Sequence, residues 1–145
     1  MSDPKLLVAD AIQILRPFVS SWQMAALVDR LYCEEAPFFL AKIVELSAII
    51  ESMPATSDQD GAGDEARVYL HYFLKGSHWY IYERCSLDGV SQASGFAILQ
   101  GMEDLAEAGY VSITEIVANL GELDLHFEAC SLGVVRLRHA AGVPT

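Results

Sequence analysis

Basic residues are scarce in this chain of 145 residues, which has 9 lysines and arginines, 20 aspartates and glutamates, and a formal net charge of −11. An acidic balance of this size argues against binding nucleic acid by phosphate neutralisation and favours a basic partner. Basic residues are absent from one part of the sequence, since the window 85–135 contains no lysine or arginine. Its acidic residues are Asp88, Glu103, Asp104, Glu107, Glu115, Glu122, Asp124 and Glu128.

Paired cysteines, a signal peptide and long apolar runs are also missing. Cys33, Cys85 and Cys130 are an odd number without CxxC or zinc-finger spacing, which predicts reduced thiols in a cytosol. No apolar run approaches the roughly 18 residues of a membrane span, and the amino-terminal Met-Ser-Asp-Pro-Lys lacks the features of a signal peptide. We therefore expect a protein of the cytoplasm with no membrane partner.

Catalytic signatures are absent as well. The chain has no GxSxG, no phosphate-binding glycine loop and no HExxH. We therefore expect a protein that is not an enzyme and that carries no cofactor and no metal.

The first half of the chain has helical patterning. Apolar spacing predicts three helices within residues 1–53, with Pro4 and Pro37 near the starts of the first and third. Pro17 is expected to end the first helix and Pro54 the third. Small, acidic and turn-forming residues then predict a flexible loop over 54–66.

Residues 67–138 are predicted to be rich in strands, within one domain that spans 1–145. The aromatic and β-branched runs 67–74 and 78–84 flank a turn that contains glycine, which predicts a hairpin. Two further strands are expected at 95–99 and 109–113.

A short helix and a last strand complete the predicted fold. Ser112 and Glu115 have the spacing of a capping box, which places a helix between them and Gly121. Residues 122–128 alternate between apolar and polar, which predicts a half-buried strand with one acidic face. The fold class is α+β, with N-terminal helices packed on a mainly antiparallel sheet of four to five strands and one short helix. For the segment after Gly133, the sequence does not decide between a strand and a helix.

An ordered series of short motifs runs through the chain. Its pieces are Lys5-Leu6-Leu7, Tyr72-Phe73, Trp79-Tyr80-Ile81, Gly95-Phe96-Ala97-Ile98-Leu99, the segment 106–116 and Glu122-Leu123-Asp124-Leu125-His126-Phe127. Over about residues 67–128 the series resembles a family of small proteins of unknown function that is common on plasmids and phages. The resemblance implies a small α+β sheet domain in a mobile-element setting and carries no established activity. The first half departs from the family, since two helices and a loop are inserted.

The acidic window and the resemblance together favour a non-enzymatic binding protein from a mobile element. We expect an inhibitor of a host defence complex, anti-CRISPR or anti-restriction, that acts in the host cytosol. As a DNA mimic it would occupy a basic nucleic-acid or nuclease-docking surface. The eight acidic residues of the window are the predicted contacts, and an ordinary solvated acidic surface is the alternative interpretation.

The alternative function is a small metal-dependent hydrolase around His126. A histidine flanked by Asp124 and Glu128 on one strand face can bind a metal or act as a base. A solvated strand face is the interpretation we prefer. His71 and His78 flank the hairpin turn and can meet across the ladder, although three unrelated histidines are the simpler expectation.

The amino-terminal helices carry large apolar side chains that predict an interface. Trp22, Phe38 and Phe39 belong to helices that have more apolar surface than one small sheet covers. We expect a homodimer through these three residues, with simple core packing as the alternative.

Overall fold

The computed structural model describes residues 4–55, 59 and 61–142, and it begins with three helices, as predicted. They are α1 (Pro4–Leu15), α2 (Ser21–Arg30) and α3 (Ala36–Ser52). Pro17 lies in a single 3₁₀ turn after α1, and the Ser20 hydroxyl caps α2 by accepting from the Gln23 N–H at 3.0 Å. Pro37 stands in the first turn of α3, where its missing N–H costs nothing.

Seven strands and two α-helices follow in the described residues. They are β1 (Arg67–Val68), β2 (Leu70–Leu74), β3 (Ser77–Cys85), β4 (Gly89–Ile98), β5 (Glu107–Val111), α4 (Ile113–Ala118), β6 (Glu122–Leu123), β7 (Cys130–Ser131) and α5 (Leu132–Ala140). Five strands form an antiparallel sheet in the order β5-β4-β3-β2-β6, and β1 pairs with β7. The predicted α+β class, with helices packed on a mainly antiparallel sheet, is confirmed.

The five-stranded sheet has a core on each face. The face toward α1–α4 packs against the first core, whose fully buried members include Leu15, Ile43, Ile50, Leu70, Ile81 and Ile113. The opposite face packs against α5 and the segment before it, and its buried members are Val68, Tyr80, Phe96, Ile98, Leu132 and Val135.

Strand β6 joins the helices to the sheet. It pairs with β2 on one side, and the Gln23 side chain lies on the other. The Gln23 amide donates to the Leu123 carbonyl at 2.8 Å and accepts from the Leu123 N–H at 2.9 Å. The N–H and C=O of one strand residue point to the same side. The Gln23 amide therefore makes the two hydrogen bonds that a neighbouring strand would otherwise make with Leu123.

Several predicted boundaries change. The strand predicted over 67–74 is divided at Tyr69, because β1 pairs with β7 whereas β2 pairs with β3. The strand predicted over 122–128 is wrong after Leu123. The Asp124 carboxylate accepts from the His126 N–H at 3.0 Å, which turns the chain away from the sheet. The segment after Gly133, for which the sequence allowed a strand or a helix, lies in α5.

The predicted flexible loop lies partly outside the described residues, at 56–58 and 60. Within it, Gln59 is held by the strands. Its side chain donates to the Tyr82 carbonyl at 2.7 Å and accepts from the Arg67 N–H at 2.8 Å. The described part of this segment is therefore tied to β1 and β3.

We predict that Gln23→Met lowers the free energy of unfolding by about 2–3 kcal/mol, because it leaves the buried N–H and C=O of Leu123 without partners at nearly constant side-chain volume. Chemical denaturation measures the change. The matched control is Gln13→Met on the exposed face of α1, which should change stability by less than about 0.5 kcal/mol. Equal effects of the two substitutions would contradict this role of Gln23.

Candidate functional site

One edge of the sheet is closed by Gln23, and the other, β5, is open. Strand β5 pairs with β4 from Ala97↔Glu107 to Ala93↔Val111, and no other strand among the described residues pairs with it. Residues 107–110 are all exposed. An open edge presents backbone N–H and C=O groups that can bind another extended chain.

The turn that leads into β5 carries both charge and apolar surface. The acidic edge, as we call it, consists of Glu103, Asp104 and Glu107 with Met102, Leu105 and Tyr110, and all six are exposed. Tyr110 and Leu105 are 69% and 67% exposed. Backbone N–H groups of Glu103 itself and of Gly101 donate to the Glu103 carboxylate and hold its pKa below the usual value. The edge therefore combines negative charge with apolar surface that water contacts.

An apolar cleft lies between the sheet and α4, next to β5. This edge cleft has a volume of about 370 Å³. Its lining includes Leu74, Trp79, Leu99, Tyr110, Val111 and Ile116, with Glu115 and Asn119 as polar members.

Local sequence fixes the position of α4. The Ser112 hydroxyl accepts from the Glu115 N–H at 3.2 Å, as the predicted capping box requires. The helix ends as expected before Gly121, whose N–H donates to the Ile116 carbonyl at 2.8 Å. A Cβ on Gly121 would lie 2.4 Å from an Ile116 methyl carbon, so only glycine fits there. Both ends of α4 are thereby fixed by local hydrogen bonds.

The structure separates the eight acidic residues of the window 85–135. Glu103, Asp104 and Glu107 share the acidic edge, and Glu115 lines the adjoining cleft. Glu122 lies on the opposite edge, in β6, and Glu128 is exposed in the segment before β7. Four of the eight are therefore grouped around β5, and their contact with a partner stays a prediction.

Asp88 and Asp124 have internal partners instead. Asp88 closes the β3–β4 hairpin by accepting from the Ser91 hydroxyl and from the N–H groups of Val90 and Ser91, which holds its pKa well below the usual value. Asp124 faces His71. These two carboxylates shape the fold, and the sequence alone did not separate them from the other six.

A hydrogen-bonded chain of three side chains lies on the α5 face of the sheet. Asp124 Oδ2 is 2.9 Å from His71 Nδ1, and His71 Nε2 is 2.9 Å from His78 Nδ1. His71 is 2% exposed, and its ring stacks on Tyr80 with centroids 4.5 Å apart. Phe127 covers the same ring, with centroids 5.7 Å apart. The expectation that His71 and His78 are unrelated is wrong.

When both imidazole rings are neutral, one arrangement of protons satisfies this chain of hydrogen bonds. With Asp124 ionised, His71 Nδ1 is the donor to the carboxylate, and Nε2 of neutral His71 accepts from His78 Nδ1. Burial lowers the pKa of His78, and repulsion from the protonated forms of His71 and His139 lowers it further. Burial alone raises the pKa of Asp124, but hydrogen bonds from His71 and the His126 N–H bring it below the usual value. The native state thus favours a neutral His78 beside an ionised Asp124.

His126 does not join this chain. Its side chain is exposed, and its ring lies against Phe38 with centroids 6.2 Å apart. Within residues 4–55, 59 and 61–142, no group of three His, Cys, Asp or Glu side chains is arranged to hold a metal ion. The geometry therefore offers no support for a hydrolase centred on His126.

The three residues predicted at a dimer interface have different surroundings. Trp22 is 64% exposed and Phe38 is 50% exposed, whereas Phe39 packs against the first core. The Arg30 guanidinium lies 5.7 Å from the Phe39 ring centroid. Trp22 and Phe38 are available to a second chain, and the homodimer stays a prediction.

Comparisons with known proteins give no further guide to this site. No family model, curated protein or solved structure matches the chain. Every helix in the described part is too short or too polar to cross a bilayer. The chemistry of the side chains at the open edge is therefore the guide to what this site can bind.

We predict that stability falls as the pH is lowered from about 7.5 to about 5. The unfolded chain takes up a proton at His78 near its usual pKa of about 6.5, whereas the native chain does so only at lower pH. The contribution of neutral His78 to the free energy of unfolding is therefore complete above about pH 6.5 and is lost as the pH falls below that value. Urea denaturation across this pH range measures the slope.

His78→Asn keeps a donor near His71 Nε2 and removes the titration, so its pH profile should be flatter. The control, His126→Asn, alters an exposed histidine and should leave the slope unchanged. A wild-type stability that is constant or rises on acidification would contradict the neutral state of His78.

Proposed function

We propose that this protein is a non-enzymatic binding protein whose acidic edge docks on a basic surface of another protein. The observation that carries the proposal is the exposure of β5, an open sheet edge with acidic and apolar side chains on the strand and on the turn before it. Open edges of this kind are normally protected in monomeric proteins by lysine, proline or a covering segment. Among the described residues, β5 has no lysine, no proline and no second pairing strand, and Glu107 is its one charged side chain.

The charge distribution supports a basic partner. Glu103, Asp104 and Glu107 lie within five residues, and no lysine or arginine occurs anywhere in 85–135. Grouped acidic side chains attract an oppositely charged partner and disfavour acidic ones, including nucleic acid itself.

The apolar side chains of the acidic edge supply the rest of the interface. Leu105, Tyr110 and Met102 are each at least half exposed. Aromatic and methionine side chains are enriched at protein interfaces, where they bury large apolar areas. Charge would then bring the partner in, and these side chains would retain it.

We propose a host defence complex as the class of partner, either a CRISPR surveillance complex or a restriction enzyme. Such complexes hold nucleic acid in basic grooves, which an acidic edge can occupy in place of phosphates. The resemblance of residues 67–128 to a family from plasmids and phages favours this setting. The site of action would be the host cytosol.

We predict that the triple variant Glu103→Lys, Asp104→Lys, Glu107→Lys no longer captures the partner of the wild-type chain. Affinity capture from host lysate, followed by mass spectrometry, should return a basic nucleic-acid-binding complex at low salt. Capture should weaken as salt rises, because the screening length falls from about 30 Å at 0.01 M to about 10 Å at 0.1 M.

The matched control is Asp10→Lys, Glu34→Lys, Glu51→Lys, which makes the same change in net charge at exposed positions of the amino-terminal part. This control should retain capture. If both triple variants lose the partner equally, net charge alone decides binding and the acidic edge is not the docking site. The same variants, expressed in a strain with an active defence system, should respectively lose and retain the protection of an infecting phage.

A further inference from the structure

The edge cleft and strand β5 are neighbours, and together they have the form of a receptor for an extended chain. Tyr110 and Val111 of β5 form one wall of the cleft, and Ile116 of α4 forms another. An open strand beside a helix, with an apolar space between them, is the arrangement by which some peptide-binding domains add a strand to a sheet.

We propose that the element of the partner bound here is an extended basic segment, which pairs with β5 as a sixth strand and inserts an apolar side chain into the edge cleft. This inference rests on the proposed function and specifies its ligand. The occupant is a strand of another protein with lysine or arginine near its apolar residue.

The backbone of β5 supplies the first part of the argument. Its inner side is paired with β4 at five positions, and residues 107–110 are exposed. Strands add to such edges through main-chain hydrogen bonds, and pockets beside the edge select alternate side chains. The open side of β5 therefore selects an extended partner over a helical one.

The cleft supplies the second part. Its volume of about 370 Å³ is within the range of small ligand sites, about 300–1,000 Å³. Trp79, Leu99 and Ile116 offer apolar contacts, which favours an aliphatic or aromatic side chain over a polar one.

Glycine at position 109 gives access to the cleft from the edge. By strand alternation, Glu107, Gly109 and Val111 share one face, and Val111 belongs to the first core on the α4 side. A Cβ placed on Gly109 has nothing within 4 Å, so space is open between Glu107 and Val111. A side chain from an added strand can occupy that space.

Charge complementarity fixes the character of the residues beside the inserted side chain. Glu107 lies two positions from Gly109 on the same face, and Glu115 lines the cleft. Glu103 and Asp104 are exposed in the turn that precedes the strand. Cationic side chains on both sides of an apolar residue fit this surface, whereas acidic ones are repelled.

The test is direct titration of the full chain with the fluorescein-labelled peptide Lys-Arg-Val-Leu-Val-Arg-Lys, measured by anisotropy. Three matched peptides isolate the contributions. Lys-Arg-Ser-Gly-Ser-Arg-Lys keeps only the charge, Lys-Arg-Pro-Leu-Pro-Arg-Lys removes two strand N–H donors, and Glu-Asp-Val-Leu-Val-Asp-Glu inverts the charge. Each should bind roughly tenfold more weakly or not at all. Equal affinity of the charge-only peptide would overturn the inference.

Two protein variants locate the binding. Gly109→Leu places a side chain on the cleft face of β5 and should weaken peptide binding roughly tenfold. Gln13→Leu adds an apolar side chain to the exposed face of α1, outside β5 and the edge cleft, and should leave binding unchanged. Thermal melting confirms that both variants fold. Ile116→Ala removes apolar contact from the α4 wall and should also weaken binding, and unchanged binding by both Gly109→Leu and Ile116→Ala would overturn the inference.

Failure of this inference can be told from failure of the proposed function. If the partner is captured through the acidic edge but no peptide binds and Gly109→Leu has no effect on capture, the sixth-strand inference is overturned while the docking proposal stands. If charge reversal at the acidic edge leaves capture intact, the proposed function fails and the inference falls with it.

Discussion

The architecture depends on one short strand, β6, which is held on both sides. Toward the sheet it pairs with β2, and toward the helices its Leu123 exchanges two hydrogen bonds with the buried amide of Gln23. The next residue, Asp124, binds His71 through both its N–H and its carboxylate. Because the buried N–H and C=O of Leu123 must be paired, this junction fixes where α2 lies against the sheet and where residues 124–127 cross to its other face.

Because Gln23 pairs with the outer side of β6, the two edges of the sheet differ. One edge is completed by the side-chain amide of Gln23 in α2, and the other edge, β5, pairs with no further strand in the described residues. Acidic side chains are grouped at the open edge, and the edge cleft lies beside it. A sheet edge that is already paired within the chain has no backbone N–H and C=O groups free to bind a partner. Here the open edge is also the charged one, and this coincidence is the physical basis of the proposed binding function.

Local signals predicted most of the fold, and non-local ones were missed. The Ser20 and Ser112 caps and the prolines of the helices act within a few residues, so α1 to α4 followed from the sequence, whereas the segment that forms α5 was undecided between strand and helix. The alternation of 122–128 was misleading, because an aspartate that accepts from the N–H two residues later ends a strand without changing its pattern. The His71–His78 contact follows from the hairpin register, in which Phe73 pairs with His78. It could therefore have been predicted from the position of the turn. Asp124 is 53 residues from His71, and neither that contact nor the outer position of β5 follows from any local pattern.

The central claim is that a basic extended segment binds along β5 and α4. Amide hydrogen exchange of the full chain, with and without saturating Lys-Arg-Val-Leu-Val-Arg-Lys, tests it most directly because it reports main-chain hydrogen bonds residue by residue. The peptide is expected to slow exchange at 107–111 and at the adjoining helix, 113–118, and to leave 122–127 unchanged. Protection that falls on the β3–β4 hairpin or on α2 and α3, or no protection at all, would contradict the claim.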